Sequence, residues 1–281
     1  MEECLVYAQP GRVALADFDA VLLDVGNVII YDFPIELAYS YFVSEEIRLR
    51  HFTLTPTASE ILEASRNPTL LMQKLGSASD WHDINHIAWM RVLENWNSLC
   101  IPIPGATEAL HRLAGLRLAI VANQPQETME VLERLGIADL FEVIILDSSL
   151  NFSKPDPAIF IYAAQRLRVQ PESLIMVGDR LDNDILPARD LGMATAWIKK
   201  TPIDETLAIP LVSMEWKRHY FDCKRVAISQ SLKELPQHSL ETHHHYVIDS
   251  LADLTNCSAK GAEYKSQGQA RSASPLEGNQ L

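Results

Sequence analysis

The chain has 281 residues, 47% of them hydrophobic, enough for one large domain or two smaller ones with a real core. Its formal net charge of −13 argues against a general nucleic-acid or anionic-membrane binder, since both need a basic face, but not against an anionic small substrate. No run approaches the roughly 18 apolar residues of a membrane helix, and the acidic opening MEECLVYAQPG lacks the apolar stretch of a signal peptide. The four cysteines, Cys4, Cys100, Cys223 and Cys257, form no CxxC pair. They read as free thiols in a reducing, cytoplasmic setting rather than as a disulfide or metal site.

The first strand is expected at Ala20–Leu23, a continuous apolar run that ends on Asp24 before Gly26-Asn27 break the chain. From Pro34 to about Pro102 no strand is evident. The runs PIELAYSYFVSEEIRLRHF and WHDINHIAWMRVLENWN have helical spacing, so this segment reads as a small all-helical insertion. Trp81, Trp89 and Trp96 recur at intervals of eight and seven, which places them on one helix face as packing residues. The insertion closes at CIPIPGA, where two prolines and a glycine mark a return.

Beyond it, helices at Ala106–Ala114, Gln126–Leu135, Pro157–Leu167 and Ile185–Leu191 alternate with strands at Leu118–Ala122, Val143–Leu146, Leu174–Val177 and Ala194–Ile198. Tyr246–Ile248 is one more candidate strand. Most of these strands are continuous apolar runs, as strands buried on both faces should be, and the alternation indicates an α/β fold with a parallel sheet covered by helices. Lys199–His245 is long for a connection inside such a sheet. Its stretch LVSMEWKRHYFDCKRVAIS fits either a hairpin or a helix. From Asn256 the composition turns to Ser, Gly, Gln and Ala, which reads as a disordered tail. The expected division is therefore 1–33 and 103–255 for the main domain, 34–102 for the helical insertion, 199–245 unassigned, and 256–281 for the tail.

Ligands of open parallel sheets bind at the carboxyl ends of the strands. There the chain places Asp24, then Asn123, then Gly178-Asp179 with Asp182 and Asp184 close behind; Lys154 lies in SKPDPAIF. At least two carboxylates and one lysine can converge on one crevice. Each alone is a weak signal, since a single carboxylate after a strand is commonly a helix cap.

In this order the segments DVGNV, IVANQ, SKPDPAIF and VGDRLDND resemble the four motifs of the haloacid dehalogenase superfamily of hydrolases. The resemblance spans Ala20 to Ile198, and YVIDSLADL is similar to the family's last strand and helix. It implies a doubly wound, Rossmann-like sheet with a mobile helical cap. It also implies a magnesium-dependent phosphatase acting on a small phosphorylated metabolite through an aspartyl-phosphate. In that scheme Asp24 is the nucleophile, and Asp24, Asp179, Asp184 and the Gly26 carbonyl hold the magnesium. Lys154 neutralises the reacting oxygens. Ala122 and Asn123 occupy the second motif, where backbone N–H groups and the Asn123 amide would hold the phosphoryl group. The four-residue gap after Asp179 selects Asp184; a three-residue gap would select Asn183. Asp182 is read as a solvent-facing charge or one behind the metal ligands.

Two positions depart from the family's pattern. Gly26 stands where many family phosphatases carry an aspartate that protonates the leaving oxygen, and Ala122 stands in place of a hydroxyl residue. This predicts slow turnover, an activated substrate, or an acid from elsewhere, with His82 and His86 as candidates. It keeps two alternatives open: a weak or inactive relative that binds a phosphate ligand or a protein partner, and carbon–halogen hydrolysis, which needs no metal. Lys74, the only lysine in the insertion, reads as a surface residue rather than a Schiff-base lysine, and His243–His245 read as an exposed turn. The partner expected is a small phosphorylated molecule, not nucleic acid or membrane; the oligomeric state is open.

Overall fold

The computed structural model describes residues 15–198, 205–231 and 245–255. Six strands form one parallel sheet: β1 (Ala20–Leu23), β2 (Leu118–Ala122), β3 (Phe141–Leu146), β4 (Leu174–Gly178), β5 (Ala194–Ile198) and β6 (His245–Ile248), in the order β3-β2-β1-β4-β5-β6. Every residue of β1, β2 and β4 is buried, which is why these strands read as unbroken apolar runs. Their alternate residues face opposite cores. Val21 and Leu23 point to one, Ala20 and Leu22 to the other.

Parallel strands need crossovers, and helices supply them. On the first face lie α6 (Ala106–Arg112) and α7 (Thr128–Arg134); on the second lie α8 (Pro157–Leu167) and α9 (Leu186–Asp190). These helices stop one to two residues short of some expected limits, and β3 starts two residues early, at Phe141. After β1 the chain winds outward to β3, then returns across β1 to β4. The winding therefore reverses beside β1, and the carboxyl ends of β1 and β4 open a crevice there.

Between β1 and α6 lie only helices: α1 (Phe33–Arg50), α2 (Ala58–Arg66), α3 (Thr69–Leu75), α4 (Ala78–Glu94) and α5 (Trp96–Leu99). Pro34 opens α1, and a reciprocal Thr57–Glu60 capping box opens α2. The two chain passages joining this layer to the sheet run side by side, bonded by Tyr31 N–H to Ile101 O and Ile103 N–H to Ile29 O, both 2.9 Å. The three tryptophans do not share one helix. The Asn95 side chain donates to the Arg91 carbonyl at 2.8 Å and α4 ends, so Trp96 begins α5. Trp81 and Trp96 are buried, while Trp89 is 37% exposed with its ring 4.9 Å from that of Tyr39.

The ambiguous 199–245 stretch contains a helix, α10 (Met214–Ser231), and not a hairpin among its described residues. It docks on the helical layer. Trp216 Nε1 donates to Ser40 Oγ at 3.0 Å, the Tyr220 hydroxyl to Glu36 at 2.7 Å, and the Ala58 N–H to His219 Nε2 at 3.2 Å. After β6, α11 (Leu251–Thr255) packs against α6. His245 is not in an exposed turn: it is buried as the first residue of β6, with Nδ1 2.7 Å from Thr195 Oγ1. Strand pairing carries it into the sheet, whereas His243, His244 and the 256–281 tail lie outside the described residues. Cys100 and Cys223 are free thiols, and burial pushes Cys100 up to about 12. Cys4 and Cys257 also lie outside the described residues. No helix among those described is long and apolar enough to cross a membrane.

Candidate active site

Asp24 is the first residue past β1. Its N–H is bonded to the Val177 carbonyl of β4 at 2.9 Å, so the sheet itself fixes where the side chain starts. Lys154 is reached from the end of β3. The Asn123 side chain, past the end of β2, accepts from the Lys154 N–H and donates to the Lys154 carbonyl, each at 2.8 Å. The amide expected to face a phosphoryl group thus braces the lysine, while Ala122, buried at the end of β2, offers no hydroxyl. Lys154 is 2% exposed, and its Nζ lies 2.7 Å from both Asp24 Oδ1 and Asp184 Oδ1.

Asp184 reaches that position through a wide π-helical turn, Leu181–Ile185, ahead of α9. Its Oδ2 accepts from the Arg180 N–H at 3.0 Å. The missing side chain of Gly178 makes the approach possible, because a Cβ there would stand 2.5 Å from Asp184 Cγ and Oδ2. The same turn leaves Asp182 exposed and paired with Arg180 at 2.7 Å, and buries Asn183. Asp179 follows β4. Trp197 Nε1 holds its carbonyl at 2.8 Å, and its Oδ2 accepts from Asn27 Nδ2 at 3.0 Å.

Oxygens of Asp24, Asp179 and Asp184 all lie within 4.8 Å of one another. Two such charges about 4 Å apart repel by roughly 4 kcal/mol at an effective dielectric of 20. Burial first, then Asp24 and Asp184, pushes Asp179 up to about 7. Burial and Asp24 raise Asp184 against the opposing pull of Lys154. Burial works against the charged form of Lys154, but Asp24 and Asp184 outweigh it and raise its pKa. Three carboxylates against one ammonium leave an excess of negative charge on hard oxygen donors. That donor set fits a cation such as magnesium.

Two residues of this site were not singled out from the sequence. Asn27 sits at φ 51°, a left-handed turn that asparagine tolerates. Its amide donates to Asp32 Oδ2 at 3.1 Å as well as to Asp179, and its oxygen accepts from the Asp32 N–H at 3.2 Å. Asp32 precedes α1 and would pass for its cap, yet its side chain makes no capping bond. The carboxyl lies against Gly26 instead, and desolvation followed by Asp179, Glu36 and Asp24 raises it well above the usual range. An asparagine at a glycine turn, with an aspartate five residues on, was the available signal. By contrast His82 and His86 are exposed on α4, and Lys74 is ion-paired with Glu60.

A family model for haloacid dehalogenase-like hydrolases matches residues 18–192. A glyceraldehyde 3-phosphate phosphatase of Pyrococcus abyssi is 40% identical over 100 residues, which are 34% of this chain and 42% of that protein, so less than half of the relative is matched. A predicted phosphoglycolate phosphatase from Haemophilus somnus superposes with a TM-score of 0.59 at 18% identity, covering 85% of this chain and 97% of the other. An L-2-haloacid dehalogenase from Xanthobacter autotrophicus does so with a TM-score of 0.52, also at 18% identity and over 85% and 97% of the two chains. At such identities the superpositions speak for the fold alone. The family match, however, runs from just before β1 to just before β5 and takes in every residue that meets at Lys154, so the chain belongs to the haloacid dehalogenase-like hydrolase family.

Proposed function

We propose that this chain is a magnesium-dependent phosphohydrolase that acts on a small phosphorylated metabolite, with Asp24 as nucleophile and the helices of 34–102 as its cap. The observation that carries this reading is the position of Lys154 Nζ, 2.7 Å from both Asp24 and Asp184 and buried with them. An oxygen of Asp24 attacks phosphorus, the bond to the leaving oxygen breaks, and water then hydrolyses the aspartyl-phosphate. Lys154 keeps Asp24 ionised and meets the phosphoryl oxygens as a point charge. Backbone N–H groups near Asn123 hold those oxygens, while its side chain keeps Lys154 in place. Magnesium, when held by Asp24, Asp179, Asp184 and the Gly26 carbonyl, supplies positive charge that lets one anion attack another.

The name of the Pyrococcus abyssi relative supports a small phosphate ester as substrate class. Carbon–halogen hydrolysis has no need of the Asp179–Asp184 pair beside the nucleophile, so the acidic cluster favours phosphate over halide. The test is phosphate release from acetyl phosphate and from a sugar phosphate, with magnesium and with a chelator. Release that the chelator stops is the expected result. Halide release from 2-chloropropionate that the chelator leaves intact, without phosphate release, would overturn it in favour of the dehalogenase.

A further inference from the structure

We propose that Asp32 is the proton carrier of this site, its carboxyl group standing in the space that a side chain at Gly26 would occupy. A Cβ built on Gly26 would come within 2.6 Å of Asp32 Oδ2 and 2.8 Å of its Cγ, with Oδ1 nearer still. Gly26 does not have a positive φ, so its backbone suits an ordinary L-residue and the obstacle is Asp32 itself. The carboxyl is aimed there by construction. Asn27 ties it by one amide to Asp179, and it leaves the end of α1 uncapped to reach that place. Asp32 as a residue is partly exposed. The steps assigned to Asp24 and Lys154 leave it without a task, and they leave the departing oxygen without a proton.

This role rests on the phosphohydrolase reading. As Asp24 bonds to phosphorus, the bond to the ester oxygen breaks and its electron pair goes to that oxygen. The oxygen takes the proton of the Asp32 carboxylic acid and departs as an alcohol. The Asp32 carboxylate then takes a proton from water as the water oxygen bonds to phosphorus. The bond to Asp24 breaks and its electron pair returns to Asp24. One ester and one water become one alcohol and one phosphate, and Asp32 ends protonated as it began.

The test measures kcat/KM, which reports the first chemical step, for a series of substituted phenyl phosphates of graded leaving-group acidity. Asp32→Asn keeps the size of the side chain and an acceptor for Asn27. It is expected to lower kcat/KM roughly 10²-fold more for the least acidic phenol than for 4-nitrophenol, because only poor leaving groups need the proton. Gly26→Asp alone, which meets Asp32, is expected to give no gain. Gly26→Asp combined with Asp32→Ala is expected to restore the shallow dependence. Equal losses across the series, or no rescue in the double variant, overturn the inference and leave the phosphohydrolase reading intact. No phosphate release from any ester by the unsubstituted chain overturns both.

Discussion

The Asn123 amide accepts from and donates to the backbone of one residue, Lys154, and this decides how its removal will read. Asn123→Ala loses the two 2.8 Å bonds that clamp the Lys154 backbone. A loss of about 1–3 kcal/mol of stability is expected, the usual range for unsatisfied buried hydrogen-bonding groups. Phosphate release should fall with it, because a 1 Å shift of a catalytic group costs roughly 10²-fold. Parallel denaturant and activity measurements check this; unchanged activity would mean that Asp24 and Asp184 hold Lys154 without the clamp. Asp24 and Asp179 could be singled out from the sequence because they follow strand ends, visible as the close of an apolar run, whereas Lys154 and Asp184 stood out by their places in SKPDPAIF and VGDRLDND. Asn27 and Asp32 offered only an asparagine at a glycine turn with an aspartate five residues on. Their meeting depends on a left-handed turn at Asn27 and on a carboxylate that declines the cap position next to it. Neither preference shows in composition or periodicity.

Among the elements, the strands were legible because burial on both faces leaves nothing polar to confuse the pattern. The Leu181–Ile185 turn was not, since the π-helical geometry that separates Asp184 from Asp182 depends on Gly178 yielding space to a side chain six residues later. The tryptophan spacing was read through Asn95 as though the helix continued, and a single side-chain bond to Arg91 ends it. Helix α10 remained ambiguous because its partners lie some 150 residues or more upstream in α1 and α2, out of reach of any local pattern. Its docking can be measured. Tyr220 is fully buried and donates to Glu36 at 2.7 Å. Tyr220→Phe removes a hydrogen bond to a carboxylate, worth about 1.5–3 kcal/mol, and should lower the denaturation midpoint accordingly. An unchanged midpoint would show that α10 contributes nothing through this bond.

At the scale of the whole molecule, the crevice lies where the sheet's winding reverses, with the helical layer inserted directly after the nucleophile's strand. The paired backbone bonds at Tyr31–Ile101 and Ile103–Ile29 join that layer to the sheet close to Asp32. Helix α10 adds a second attachment from the far end of the sheet order. A ligand in the crevice therefore meets a floor set by β1 and β4 and is flanked by a segment that begins at Asp32. The measurement that tests the central claim most directly is the steady-state rate of phosphate release from acetyl phosphate, in magnesium, by the full chain and by Asp24→Asn. Asparagine is nearly isosteric but a far poorer nucleophile, so the variant is expected to fold, melt near the parent temperature and release phosphate no faster than buffer. A folded Asp24→Asn protein that retains a substantial part of the parent rate would contradict the aspartyl-phosphate mechanism and the role of Asp24 in it.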